Sequence, residues 1–169
     1  MLVYNEEEDR MKTYLSTKPA AEVKTISKQF TTFYLDGRLY GIDVMKVQEV
    51  TKPLQVTKMQ TAPLFIKGLI NLRGQIATAI GLRELFGLKM ENSSDKMTVV
   101  CKLDDVLISL LVDSIGDVLE VHDQQYESTP QTIPGNIRSF MQGVYKTESG
   151  ILSIVNLDSI LKELDKKCA

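Results

Sequence analysis

The sequence predicts a mainly β protein assembled from two copies of one small unit that share a core. Three features predict it: short β-branched and aromatic runs broken by turn signals, an ordered recurrence of these runs further down the chain, and a short helix closing each copy. Many short strands with turn punctuation fit small barrels, not an open parallel sheet. A unit of about 60 residues buries too little surface to be robust alone, so two are expected to pack face to face.

Residues 1–28 are polar and charged, contain Pro19, and are read as a flexible tail outside the core. The texture changes at Gln29. Phe30-Thr31-Thr32-Phe33-Tyr34-Leu35 reads as a strand, Asp36-Gly37 as a two-residue hairpin turn, and Arg38-Leu39-Tyr40-Gly41-Ile42 as the return strand. Further on, the run from Phe65 to Leu72 reads as a strand entering a tight turn, where Gly74 is free to adopt positive φ. Arg73 falls at that turn. Its guanidinium is open to pairing with a carboxylate, to facing a partner or to plain solvation, and the residues alone leave these open. Residues 82–86 read as a short helix stopped by Gly87, and 91–96 as a polar linker.

The second copy then follows. Leu103-Asp104-Asp105-Val106-Leu107 lies 68 positions after Leu35-Asp36-Gly37-Arg38-Leu39, and at the same offset Val44, Val47, Glu49 and Val50 fall on Val112, Ile115, Asp117 and Val118. Phe65-Ile66-Lys67-Gly68-Leu69 matches Phe140-Met141-Gln142-Gly143-Val144, and the run after Gly74 matches the run after Gly150 with a one-residue drift. The units are therefore placed at about 29–90 and 97–164, with residues 165–169 as a C-terminal tail. Pro130 and Pro134 make 127–136 an exposed, extended loop. A second helix is expected from Leu157 to about Leu164.

Composition narrows the function. A net charge of −2, 7% aromatic residues and no tryptophan give no footprint for nucleic acid. No basic head with an apolar run marks a signal peptide, and no stretch nears the roughly 20 apolar residues of a membrane span. A cytoplasmic protein without membrane insertion is expected. Two cysteines and one histidine form no metal pattern: Cys101 reads as a buried free thiol and His122 as a surface residue after a strand. Asp104-Asp105 reads as a turn, and no phosphate loop, dinucleotide fingerprint or nucleophile elbow is present. Neither catalysis nor a cofactor is expected.

Three segments carry a resemblance. Tyr40-Gly41-Ile42-Asp43-Val44-Met45-Lys46-Val47-Gln48-Glu49-Val50, then Phe65-Ile66-Lys67-Gly68-Leu69-Ile70-Asn71-Leu72-Arg73-Gly74, then Leu111-Val112-Asp113-Ser114-Ile115-Gly116-Asp117-Val118-Leu119 together resemble the CheW family of chemotaxis coupling proteins over about residues 29–164. The resemblance implies two five-stranded SH3-like barrels on a shared core, with short helices. It also implies a non-enzymatic scaffold that links methyl-accepting chemotaxis receptors to the regulatory domain of a CheA-type histidine kinase and is recruited to receptor arrays. By the same resemblance Glu49 and Arg73 pair beside a receptor-binding surface that includes Val47 and is bordered by Val99. Met45, Lys67 and Gly68 fall at one kinase interface, and Ile133 in a loop of a second. The chain departs from the family pattern at Thr78 and Gly81, where proline and aspartate are common, and at Asn156, where aspartate is frequent. These departures leave open an adaptor for a non-flagellar kinase pathway; a small ligand-binding β-barrel is the rival from another class.

Overall fold

The computed structural model describes residues 25–168, which form a mainly β structure of eleven strands and three short α-helices. Strand β1 (Ser27–Leu35) turns into β2 (Arg38–Asp43), and a 3-10 turn at Val44–Lys46 leads into β3 (Val47–Thr51). After a long strap, β4 (Ile66–Leu72) and β5 (Gln75–Gly81) form a hairpin that runs into α1 (Leu82–Leu85). The second series is β6 (Met97–Leu103), β7 (Val106–Val112), β8 (Ser114–His122), β9 (Tyr126–Glu127), α2 (Gly135–Arg138), β10 (Met141–Thr147), β11 (Gly150–Val155) and α3 (Leu157–Cys168).

The hairpin turns follow from backbone chirality. Asp36 and Gly37 sit at φ +51° and +72°, the double positive φ that matches the twist of a two-residue hairpin. Arg73 and Gly74 do the same at +52° and +87°, so Arg73 as well as Gly74 takes the left-handed conformation. The Asn71 side chain fastens that turn, its Oδ1 accepting from the Gly74 N–H at 2.9 Å.

Neither sheet is built from one half of the chain. One has the order β8-β1-β2-β11-β10-β9, the other β3-β6-β7-β5-β4. Disregarding the two-residue β9, both repeat one pattern: an edge strand, a hairpin from the other half, a parallel contact, and a second hairpin. The hairpins β1-β2 and β6-β7 have in effect changed places. Neither sheet closes on itself by a continuous ladder. The strap after β3 instead returns to the far edge through a single bridge between Thr57 and Leu69, with N···O distances of 2.8 and 2.9 Å.

The largest core lies between the sheets. Phe33, Tyr40 and Ile42 from one sheet meet Ile80, Ile108 and Leu110 from the other, with Phe86, Phe140 and Ile160 among the helical and loop contributions. Each sheet also buries a smaller cluster on its other face: Phe30, Val121, Tyr145, Leu152 and Ile154 in the first, Leu72, Ala77, Val100 and Leu107 in the second. Strands β1 and β6 are therefore covered on both faces, which explains the runs of consecutive buried residues in each.

Two boundaries differ from the sequence reading. Strand β1 starts at Ser27, inside the segment expected to be tail, because Ser27 and Lys28 still pair with His122 and Val121. The rest of that expectation, residues 1–24, lies outside the described residues. Helix α3 continues to Cys168 through most of the expected C-terminal tail. Leu157, Ile160 and Leu164 give it a buried stripe, and Lys166 and Lys167 suit the negative end of its dipole.

Gly68, at φ +139°, lies where the strap crosses β4, and a Cβ there would run into the Thr57 carbonyl and the Val56 side chain. Gly68→Ala is expected to lower unfolding stability by about 1–3 kcal/mol, the scale of a residue forced into a glycine-only conformation. Urea titration checks this, and an unchanged midpoint would contradict the placement of the strap.

Candidate functional site

Edge strand β3 organises the site. Val47 pairs with Cys101, Glu49 with Val100 and Val50 with Val99, so a bulge at Gln48 inserts one residue between the first two pairs. Directly opposed residues on antiparallel strands share a face. Val47 and Val50 therefore lie on the side of the main core, and Glu49 lies on the other. Without the bulge, Val47 and Glu49 would point the same way.

Arg73 comes to Glu49 from the β4-β5 turn, its Nη2 3.0 Å from Glu49 Oε2, with side chains 81% and 20% exposed. Strands β3 and β4 are the two outer strands of this sheet, so the pair spans from one edge to the other. An ion pair this open to water contributes little stability, about 0–1 kcal/mol. What it provides is an exposed guanidinium at an edge that also carries Val47 and Val50.

The other sequence-selected residues are scattered. Met45, 88% exposed, stands on the 3-10 turn after β2 and lines a shallow cleft with Ser27, Lys28, Gln29, Asp43 and Val44. Lys67 is half-buried on β4 and touches Glu84; burial first, then the nearby Lys96 and Lys58, pull its pKa below that of a free lysine. It lines a different crevice, with Arg83, Lys96 and Asp113. Ile133 is half-buried against the main core.

Two of the expected contact residues are buried in the isolated chain. Val99 is 0% exposed in the main core, because β6 is sandwiched between β3 and β7; its side chain is closed to a partner and supports β3 from within. Gly68 is buried beneath Val56 and Thr57, so it lets the strap close on β4 and offers no surface of its own.

A buried arginine was not singled out in the sequence. Arg83, on α1, meets Asp113 through two bonds, Nε to Oδ1 at 2.7 Å and Nη2 to Oδ2 at 2.6 Å. The same guanidinium reaches Glu91 at 2.9 Å and Asp36 at 3.8 Å, and donates to the Lys89 carbonyl. Asp113 in turn accepts from the Asp36 N–H at 2.8 Å. One arginine thus fastens α1, the β1-β2 turn, the β7-β8 junction and the linker. An arginine inside the apolar run Leu82 to Phe86 was the available signal. The Arg83 guanidinium holds the Asp113 carboxyl below its ordinary pKa against the opposing pull of burial, and the Asp36 N–H adds to the lowering.

Burial pushes the Cys101 thiol up to about 12, which leaves it inert, and His122 is exposed at the end of β8. Among the described residues no three metal-binding side chains converge, and no helix is long and apolar enough to cross a membrane. At the departures from the family pattern, Gly81 leaves α1 without a side-chain cap, whereas Asn156 Oδ1 accepts from the Ser159 N–H at 3.1 Å and caps α3 as an aspartate would.

Two sheets on one interior core, presenting two valines of an edge strand and an exposed ion pair, define a protein-docking module. Comparison with known proteins agrees. Residues 29–165 match the family model described as a CheW-like domain, and the chain belongs to that family. It is 32% identical to the chemotaxis protein CheW of Klebsiella aerogenes over 149 residues, 87% of this chain and 89% of that protein. It is 30% identical to the chemotaxis protein CheW of Treponema pallidum over 145 residues, 82% of this chain and 85% of that one. Among solved structures it is similar to the scaffolding protein TtCheW from Thermoanaerobacter tengcongensis, with a TM-score of 0.70 and 32% identity over 77% of this chain and 89% of that one.

The depressed Asp113 pKa sets a pH dependence. The unfolded chain binds the proton more readily, so the stabilisation is complete above about pH 4 and is lost as pH falls through the lower folded value. Asp113→Asn is expected to cost about 3 kcal/mol at pH 7, the scale of a broken buried pair. That difference from wild type should shrink as urea titrations move from pH 5 to pH 2. An equal difference at every pH would contradict the pairing.

Proposed function

We propose that the chain is a non-enzymatic chemotaxis adaptor, one that joins receptor tips to the regulatory domain of a CheA-type histidine kinase at the cytoplasmic face of a receptor array. The observation that carries this reading is the exposed Arg73–Glu49 pair on the edge of a CheW-like fold. A receptor tip is a helical hairpin whose apolar stripe would lie along Val47 and Val50, with Arg73 at its flank offering bidentate bonds to a carboxylate. Val50 joins this surface because the bulge turns it to the same side as Val47.

The kinase would be engaged elsewhere. Met45 supplies an exposed apolar anchor on the turn that leads into β3, while Lys67 and the Ile133 loop supply others. Each sheet with its returning strap would act as a small five-stranded, SH3-like barrel. The Thr57–Leu69 bridge and the pairing of β9 with β10 support this, since each carries the chain from one edge of its sheet toward the other.

Arg73→Glu sets like charges against Glu49, and the turn is exposed enough to keep the fold. Its affinity for a receptor signalling-tip fragment should fall by about tenfold to a hundredfold, the range of one interface anchor, while the kinase domain still binds. Calorimetry with both partners tests this; undiminished receptor affinity would sink the assignment of the pair. Met45→Glu should do the reverse, weakening the kinase regulatory domain alone, and a kinase titration matching wild type would reject Met45 as an anchor.

A further inference from the structure

From residue 50 to residue 83 the chain carries three lysines, two arginines and no carboxylate, although its net charge is −2. The arginines are matched, Arg73 by Glu49 and Arg83 by its acidic network. Of the lysines, Lys67 meets Glu84. Lys52 and Lys58 are exposed on the strap and, among the described residues, form no ion pair. Lys58 and Lys96 lie close enough to Lys67 to lower its pKa, and Glu84 is the one carboxylate paired with the three among the described residues. The strap also exposes Leu64 at 88% and Met59 at 45%. A cationic, partly apolar surface of this kind suits an acidic peptide with an apolar head.

The chain contains one such peptide. Met1-Leu2-Val3-Tyr4 is followed, after Asn5, by Glu6-Glu7-Glu8-Asp9, and no other run of more than two carboxylates occurs in the sequence. Residues 10–24 separate it from Thr25, where the described structure begins. Fifteen residues span up to about 50 Å when extended. A compact domain of this size is about 40 Å across, so a tether of that length covers most of its surface, short of the point opposite Thr25. A short tether holds a segment at an effective concentration of about millimolar, so even a weak attraction fills the site for much of the time.

We infer that the acidic segment 2–9 docks in cis on the cationic strap, against Lys52, Lys58, Lys67 and Lys96, with its apolar head beside Met59 and Leu64. Docking itself does not depend on the adaptor reading. One consequence does: Lys67 belongs to both surfaces, so a docked tail shields it from the kinase.

A nitroxide at Asn5→Cys in a full-length Cys168→Ser background reports the contact by NMR, since buried Cys101 is not labelled. At about 50 mM salt the label should broaden the amides of residues 52–60, 67 and 96 at every protein concentration. The effect should vanish at about 0.5 M salt, where charge attraction is screened within a few ångströms, and in the Glu6→Gln/Glu7→Gln/Glu8→Gln/Asp9→Asn variant. Broadening confined to the strands beside Thr25 would overturn the proposal, and so would broadening that grows with concentration, which would place the tail on a second copy. If the tail occupies its site most of the time, the neutralised variant should bind the kinase regulatory domain about threefold to tenfold more tightly. Equal affinities would overturn the shielding. A wild-type chain that binds neither receptor nor kinase would refute the adaptor reading and leave the NMR result standing.

Discussion

The structure depends on the exchange of two hairpins across one core. Hairpin β1-β2 completes a sheet whose other strands come from the second half of the chain, and β6-β7 completes the sheet of the first half. Each inserted hairpin sits at the centre of its sheet and is paired on both sides, antiparallel to an edge strand and parallel to the last hairpin. Pulling either sheet apart would strip both faces of a central strand and open the main core. Two sheets too small to be robust alone are thereby made into one body.

That constraint sets what the surface can do. With interiors filled mostly by aliphatic and aromatic side chains, charged groups other than the buried Arg83 are carried on edges, turns and the strap. Strand β3 is an edge, so its ladder groups are open on one side. The bulge at Gln48 sorts its side chains, apolar toward the sheet interface and Glu49 toward Arg73. The Arg83 cluster gives the assembly a second fastening at the point where α1, the β1-β2 turn and the β7-β8 junction meet. Surfaces fixed in this way on one body suit a scaffold of the CheW-like family.

Much of this is legible in the sequence because local chemistry decides it. Asp36-Gly37 specifies a hairpin through positive φ, Gly87 stops α1 at φ +68°, and the strand-like runs 30–35 and 66–72 form strands. The pairing of distant strands is not legible, since similar segments could join in either combination. The bulge is hidden for the same reason, and with it the opposite facing of Val47 and Glu49. The burial of Val99 is not legible either, because it depends on β3 and β7 flanking β6. Arg83 is overlooked because its partners lie up to 47 residues away, at Asp36, and meet only in the fold. The tail of α3 is misjudged from composition alone: Asp165, Lys166 and Lys167 look frayed, yet they extend a helix already anchored by Leu164.

If the exchanged hairpins hold the Arg73 edge and the Met45 turn as fixed, separate docking surfaces, both partners are expected to occupy the chain at once. Analytical ultracentrifugation of the full-length chain with a receptor signalling-tip fragment and a kinase regulatory domain measures this directly. The account predicts a ternary species that forms only when the chain is present, with each partner's affinity unaffected by the other. Mutual exclusion of the two partners, each binding well alone, would contradict it.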